Sequence, residues 1–305
     1  MTMGTIQADK YKSGAAVPST ETVSIADESL GMSFVRVFAS PRTRIPALRC
    51  VASIFKNFFF AQYRAAFLPG RIPVSSVDHP LDGKIPFTPG KVGIYLDFVA
   101  FWIRSLGFIM RTYGRQADEI AKTFIQTMGA TYEWAAAIYQ KHLSTTVRPF
   151  YIANPRFLPI HGLDPHLMCI PSLHVMVVIR TYTFFRKAFS QLGGQNTEAR
   201  TEELYRGAIA ITEAVLFIKQ HSVNCIPAAM YAMTKFDPAL FTEAEAERFT
   251  SQLFLTEKHP SAADAEEIRR HILVLYRRFA AEGENTVDWR KPLLDFLREM
   301  PPAAL

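Results

Sequence analysis

Three short clusters in the 305-residue chain carry side chains able to hold and transfer a charged group. They are Lys141 with Arg148 and Pro149 in "KHLSTTVRP", "PSLH" at 171–174, and "KQH" at 219–221. Phosphoryl transfer asks for such a set, with cations and backbone amides gripping three equatorial oxygens while a nucleophile and a leaving-group acid act in line from opposite sides. Imidazole near its unperturbed pKa serves in either of the last two roles, so His174 and His221 form the candidate pair. A helix starting at Pro171 and Ser172 suits proline in the first turn and serine near the N-cap, and its unpaired N–H groups around Leu173 favour an anion. The candidate grip is then Lys141, Arg148, Ser172, the amide of Leu173, and Lys219.

Sustained β-branched alternation is absent, and the elements that must position these groups read as helices. An aromatic stretch with interspersed Arg and Lys at 35–68 fits an amphipathic helix lying on a core or on a lipid surface. The loop "LDGKIPFTPGK" at 81–91 precedes two long helices over 92–111 and 117–141. Five prolines and Gly162 make 148–171 an irregular segment that could wrap a site. The helix bearing His174 then runs to about residue 189. Another is expected over 202–233, kinked or split at Pro227, with His221 on it. On that reading Asn224 and Cys225 lie one turn beyond His221 and could touch its ring. From 236 onward the chain turns charged and amphipathic. Thr242 and Glu245 form a capping pair, and Ile268, Ile272, Leu275 and Phe279 make one stripe. The expectation is an all-α helical bundle: a floppy leader at 1–30, a core at 31–235, and a small helical appendage at 236–305.

A net charge of +6 favours anionic partners but is too diffuse to choose among phosphate esters, nucleic acid and acidic lipid. Cys50, Cys169 and Cys225 are odd in number and widely spaced, which fits a reducing compartment and no zinc knuckle. No basic start with an apolar block marks a secretory signal. Charges interrupt every apolar window before the roughly 18 to 20 residues of a plain spanning helix, so a cytoplasmic or peripherally membrane-associated protein is expected. His142 is assigned to another helix face, His161 and His166 to the entrance loop, and His79, His259 and His271 to the surface. No histidine pair has metal-ligand spacing with a third ligand.

In order and spacing the clusters resemble the type 2 phosphatidic acid phosphatase and vanadium haloperoxidase superfamily. The family's first motif, a lysine, six residues, then Arg-Pro, is matched completely by "KHLSTTVRP". "PSLH" resembles the second-motif variant of the inositol phosphorylceramide synthase-like branch, as "IPFTP" resembles an upstream segment of that branch. The third motif departs from the pattern: "IKQHSVNC" keeps Lys219, Gln220 and His221 but has Cys225 in the aspartate's place, and Val215 stands where a longer form of the motif has arginine. The resemblance covers about 78–235.

It implies a bundle of the phosphatase/haloperoxidase type in which His221 forms a phosphohistidine, His174 protonates the leaving oxygen, and Lys141, Arg148, Ser172 and Lys219 grip the phosphoryl group. The substrate implied is a phosphate ester, a lipid or isoprenoid phosphate, with no cofactor, no nucleic acid, and peripheral membrane contact as a compatible partner. Because the orienting carboxylate is missing, a catalytically impaired relative that binds anions or lipid headgroups stays open. So does a vanadate-dependent haloperoxidase, which alone would take vanadate as cofactor.

Overall fold

Helix α7 (Leu173–Leu192) is apolar on nearly every face, so it must be surrounded, and four other helices surround it: α4 (Val92–Tyr113), α5 (Asp118–Tyr139), α8 (Thr197–Phe217) and α9 (Cys225–Phe236). This arrangement comes from a computed structural model of the chain that describes residues 24–68, 70–194 and 196–303. Val175 through Ile179 of α7 are fully buried, together with Tyr182 and Phe185. The fold is the all-α bundle expected from the sequence. Its only strands among the described residues are a short parallel pair, β1 (Val74–Ser76) on β2 (Leu143–Thr145).

Local chemistry sets most helix limits. Asp118 and Glu119 occupy the first turn of α5, where the helix dipole favours negative charge, and residues 121, 124, 125, 128 and 132 bury one face at helical spacing. Gly114 and Gly193 take up positive φ and end α4 and α7. The amphipathic N-terminal stretch is divided into α1 (Leu30–Ala39), α2 (Pro41–Ile54), a π-helical turn at Phe55–Phe60, and α3 (Ala61–Phe67). Helix α2 packs along α5, and α1 along α4.

Three sequence expectations need correction. Residues 1–23 of the leader lie outside the described residues, but its last residues are docked: Ile25 is buried, and the Ala26 amide donates to Glu203 on α8. The charged tail is no appendage either. Its helices α10 (Glu243–Gln252), α11 (Ala262–Glu284) and α12 (Lys291–Glu299) put Phe249, Phe279 and Leu297 into the same core. Trp289 stacks on Trp134 of α5 with ring centroids 4.3 Å apart, and Pro302 bridges to Ser75 of β1. The segment at 148–171 holds no long helix, as expected, and only one short one, α6 (Phe157–Leu163).

The expected helix over 202–233 ends well before Pro227. Helix α8 stops at Phe217, and Lys219 turns into the left-handed region at φ 57°. Helix α9 restarts at Cys225 with Pro227 in its first turn, where a proline breaks no helical hydrogen bond. Asp82, in the one-turn 3-10 helix Pro80–Lys84, holds the break together. Its carboxylate accepts from the Val223 amide at 2.8 Å and from the His79 amide at 2.8 Å. Lys219 Nζ donates to the carbonyls of Asp82 and Ile85. Burial pushes the Asp82 carboxyl up, against these stabilising partners.

Removing the Asp82 carboxylate strands the Val223 and His79 amides. Asp82→Ala is therefore expected to cost about 3 kcal/mol, read from urea unfolding midpoints. A loss within about 0.5 kcal/mol would mean that the 218–224 turn holds its shape unaided.

Candidate active site

His174 is the second residue of α7, its ring packed against Tyr95 and Phe98 of α4 with centroids 4.6 and 4.2 Å away. His221 comes from the turn that Asp82 holds, not from a helix, and its Nε2 lies 3.3 Å from His174 Nδ1. One ring donates N–H and the other accepts, so the two rings are in direct contact. A phosphoryl group passing between them requires them to part. Burial and the facing charge of His221 hold His174 down to about 3, which leaves it neutral in this geometry.

Two buried polar atoms at the site lack a hydrogen-bond partner among the described residues: Ser172 Oγ, at the N-cap of α7, and His221 Nδ1. Such atoms carry a desolvation penalty that a ligand or neighbouring donor could relieve. The cleft around the pair is narrow and lined by Phe58, Gln62, Tyr95, Asp164, Gln220 and Leu173.

Arg148 reaches this cleft. Its Nη1 donates to Gln220 Oε1 at 3.1 Å and lies 3.5 Å from Asp164 Oδ2, while Nη2 donates to the Asp164 carbonyl at 2.8 Å. Asp164 also accepts from Gln62 Nε2 at 2.8 Å and from the His166 amide at 2.9 Å. Burial works against the Asp164 anion, but His166 and Arg148 outweigh it and hold the carboxyl at about 2. His166 Nε2 sits 2.9 Å from Thr146 Oγ1 and 3.8 Å from Cys169 Sγ. Burial disfavours its cation, yet Cys169 and Asp164 raise the imidazole to about 9.

The structure brings together His174, His221, Arg148, Ser172 and Leu173, and it separates the others. Lys141 follows the end of α5, is exposed, has no hydrogen-bond or ion-pair partner among the described residues, and does not line the cleft. Lys219 is spent on the carbonyls of Asp82 and Ile85, so it cannot grip a phosphoryl group from this position. Asn224 faces away, donating to the Val77 carbonyl at 3.1 Å and accepting from His271 Nε2 at 2.8 Å. His271 is accordingly no surface histidine. Cys225, the first residue of α9, is fully buried, and burial together with the nearby Cys169 raises its thiol pKa. His142 is buried against Ser75 Oγ at 2.8 Å, and His161 pairs with the Tyr151 backbone. The residues the sequence did not single out are Asp82, Asp164, Cys169, Gln62 and Gln220. Asp164 and Cys169 share with His166 the proline-rich segment that was expected to rim the site. Among the described residues no group of three His, Cys, Asp or Glu side chains is placed to hold a metal ion.

The depressed pKa of His174 fixes a pH dependence. The folded ring refuses a proton down to about 3, whereas the unfolded ring takes one near 6.5. Its contribution to stability is thus complete above the unfolded value and lost as pH falls toward the folded one. Melting curves should show His174→Gln gaining on the wild type by a growing margin as pH drops below 6.5. A margin that stays constant would mean that His174 is charged in the fold. No protein-family model, curated protein or solved structure matches the chain, so the site is read from its own geometry.

Proposed function

We propose that the cleft takes the phosphate of a phosphate ester and hydrolyses or transfers it through a phosphohistidine on His221. The observation that carries the reading is the pairing of His221 with His174 in one cleft that Arg148 enters beside Gln220. In the proposed reaction His221 Nε2 attacks phosphorus as the bond to the ester oxygen breaks, and that oxygen takes a proton from His174. Water or an acceptor hydroxyl then releases the phosphoryl group. A bound phosphate anion favours the protonated form of His174 by opposing the charge that keeps it neutral, which supplies the proton that the leaving oxygen takes. Arg148 is suited to hold two of the oxygens because its guanidinium presents a planar fork. The unpartnered Nδ1 of His221 favours a second reading, an anion-binding relative whose turnover is impaired.

The substrate class proposed is a lipid phosphate met at a membrane surface. Phe58 and Gln62 line the cleft, and the same segment exposes Phe55, Phe60 and Phe67 at 61, 64 and 79%. Gln62 and Tyr63 bond to Asp164 and Leu163 across the cleft, and that opposite segment exposes Val147, Phe150 and Ile152. Lys56 and Arg64 stand among the exposed aromatics, as expected of a surface that meets anionic headgroups. One helical stretch, Pro89–Tyr139, is long and apolar enough to cross a membrane, but half of its apolar window is buried inside the protein. Peripheral attachment is therefore the mode proposed.

Arg148→Ala should weaken orthovanadate or phosphate binding at least tenfold, about 1.4 kcal/mol. His221→Ala should keep that binding and lose all turnover of a lipid phosphate. Unchanged affinity in a folded Arg148→Ala protein removes Arg148 from the site, and phosphate binding without wild-type turnover selects the impaired relative.

Co-sedimentation with phosphatidylglycerol vesicles tests the membrane surface. The triple variant Phe55→Ser, Phe60→Ser, Phe67→Ser should bind at least tenfold more weakly at unchanged melting temperature, and carbonate should release the wild type. Retention after carbonate would make the protein integral, and failure of the wild type to sediment would remove the lipid surface.

A further inference from the structure

Phe58 and Gln62 line the cleft from the N-terminal arm, and the space left between them and the histidine pair is small. The cleft has a volume of about 20 Å³, room for one water but not for a tetrahedral oxyanion, and the two imidazoles touch. An anion enters only after something moves. The arm over 55–68 is held to the body at few points. It leaves α2, which packs along α5, through the π-helical turn Phe55–Phe60, a form of helix found mostly at functional sites. Helix α3 has that turn as its main helical neighbour. Two hydrogen bonds close the seam: Gln62 Nε2 donates to Asp164 Oδ1 at 2.8 Å, and the Tyr63 hydroxyl donates to the Leu163 carbonyl at 2.8 Å. Water can replace both. The first bond ends on the carboxylate that pairs with Arg148, so the closure reaches the proposed anion grip itself.

We propose that the arm over 55–68 is a strap that holds the cleft shut in water and is drawn off it when its aromatics enter an anionic bilayer. Phe55, Phe60, Phe67 and Leu68 are exposed on the strap, as are Phe150, Ile152 and Leu163 on the facing lip. The charge pattern selects the kind of bilayer. Residues 30–68 hold six cations and no acid, and among the described residues only Arg36 and Arg42 of the six are ion-paired, with Glu28 and Asp118. In water, lifting Phe58 out of the cleft wets apolar surface, which favours the closed form. Against acyl chains the same surface stays dry, and only the two seam bonds oppose opening. The strap thus ties access to the histidine pair to arrival at the membrane. As regulation this rests on the reading of the cleft as the site of a lipid phosphate, whereas the opening itself does not.

The test uses the full chain and reads how fast N-ethylmaleimide, which enters water and bilayer alike, alkylates Cys169, a cleft-lining thiol at 1% exposure. A buried thiol reacts only through an open form. Cys169 should react slowly in buffer and at least tenfold faster with phosphatidylglycerol vesicles, while phosphatidylcholine vesicles leave it unchanged. The buried Cys50 and Cys225 are references within the same chain and should not accelerate. The triple variant Phe55→Ser, Phe60→Ser, Phe67→Ser should lose the vesicle effect. Gln62→Ala with Tyr63→Phe should speed Cys169 at least tenfold in buffer alone, and an unchanged rate in that variant overturns the seam. A wild-type rate indifferent to phosphatidylglycerol vesicles overturns the strap, whether or not they bind the protein. So does a rate already fast in buffer, one equally raised by phosphatidylcholine, or a rise shared with Cys50 and Cys225. Vesicle-induced opening in a protein that turns over no phosphate ester upholds the strap and overturns the phosphotransfer reading. Turnover of a lipid phosphate without such opening does the reverse.

Discussion

The candidate site depends on one buried carboxylate. Asp82 ties the Val223 amide to a loop 137 residues upstream of Lys219, and Lys219 returns the tie through two loop carbonyls. Left to local preference, 202–233 would run on as helix, because nothing between Glu202 and Ile226 forbids it. The latch makes a left-handed residue at Lys219 affordable and separates α8 from α9. It thereby moves His221 out of a helix face and sets its Nε2 against His174. The apolar wrap of α7 fixes the other partner.

A consequence is that the cation expected to grip phosphate has become structural. With Lys219 bonded to the Asp82 loop and Lys141 without a contact to the cleft, Arg148 is the one of the three that borders it, through Gln220 and Asp164. An arginine fork can hold two oxygens without help. It rests meanwhile on Gln220, on the carbonyl of Asp164 and, at 3.5 Å, on the Asp164 carboxylate, so an arriving anion competes with two neutral partners and one charged one. The cleft also balances its charges locally. Asp164 pairs with Arg148 on one side and His166 on the other, which offsets the repulsion between the two cations.

What the sequence makes legible is whatever depends on near neighbours. The limits of α5, the N-cap of α7 at Ser172, the capping pair at Thr242 and the stripe on α11 all follow from spacing and end chemistry, and the structure has them. His174, Arg148 and His221 could be picked by type. Their partners could not, since the neighbours of His221 are set by Asp82 and by a proline-rich segment far away in the chain. Lys141 misled for the same reason. The seven-residue interval to Arg148 passes through β2, an extended piece whose pairing with β1 leaves Lys141 at the surface. Cys225 was read along a helix toward His221, whereas the break between α8 and α9 turns it toward Cys169. The tail from 236 was charged enough to pass for an appendage, yet its apolar stripe needed a partner, and α9 is that partner.

The closed histidine pair and the exposed aromatics around the cleft belong to one energetic argument. Parting His174 from His221 gives up a single neutral hydrogen bond, a net of about 1 kcal/mol. Burying one methylene returns about 0.8 kcal/mol, so a few carbons of an acyl or prenyl chain against Phe55 and Phe60 outweigh the cost of opening. Inorganic phosphate brings no such surface and must open the rings by charge alone. On the proposed reading free phosphate would be the weaker ligand for this geometry, and a lipid-borne phosphate the one whose apolar part would work on the exposed aromatics while its anion would work on Arg148. That division assigns binding energy to groups remote from phosphorus, where it can be spent on separating the two imidazoles.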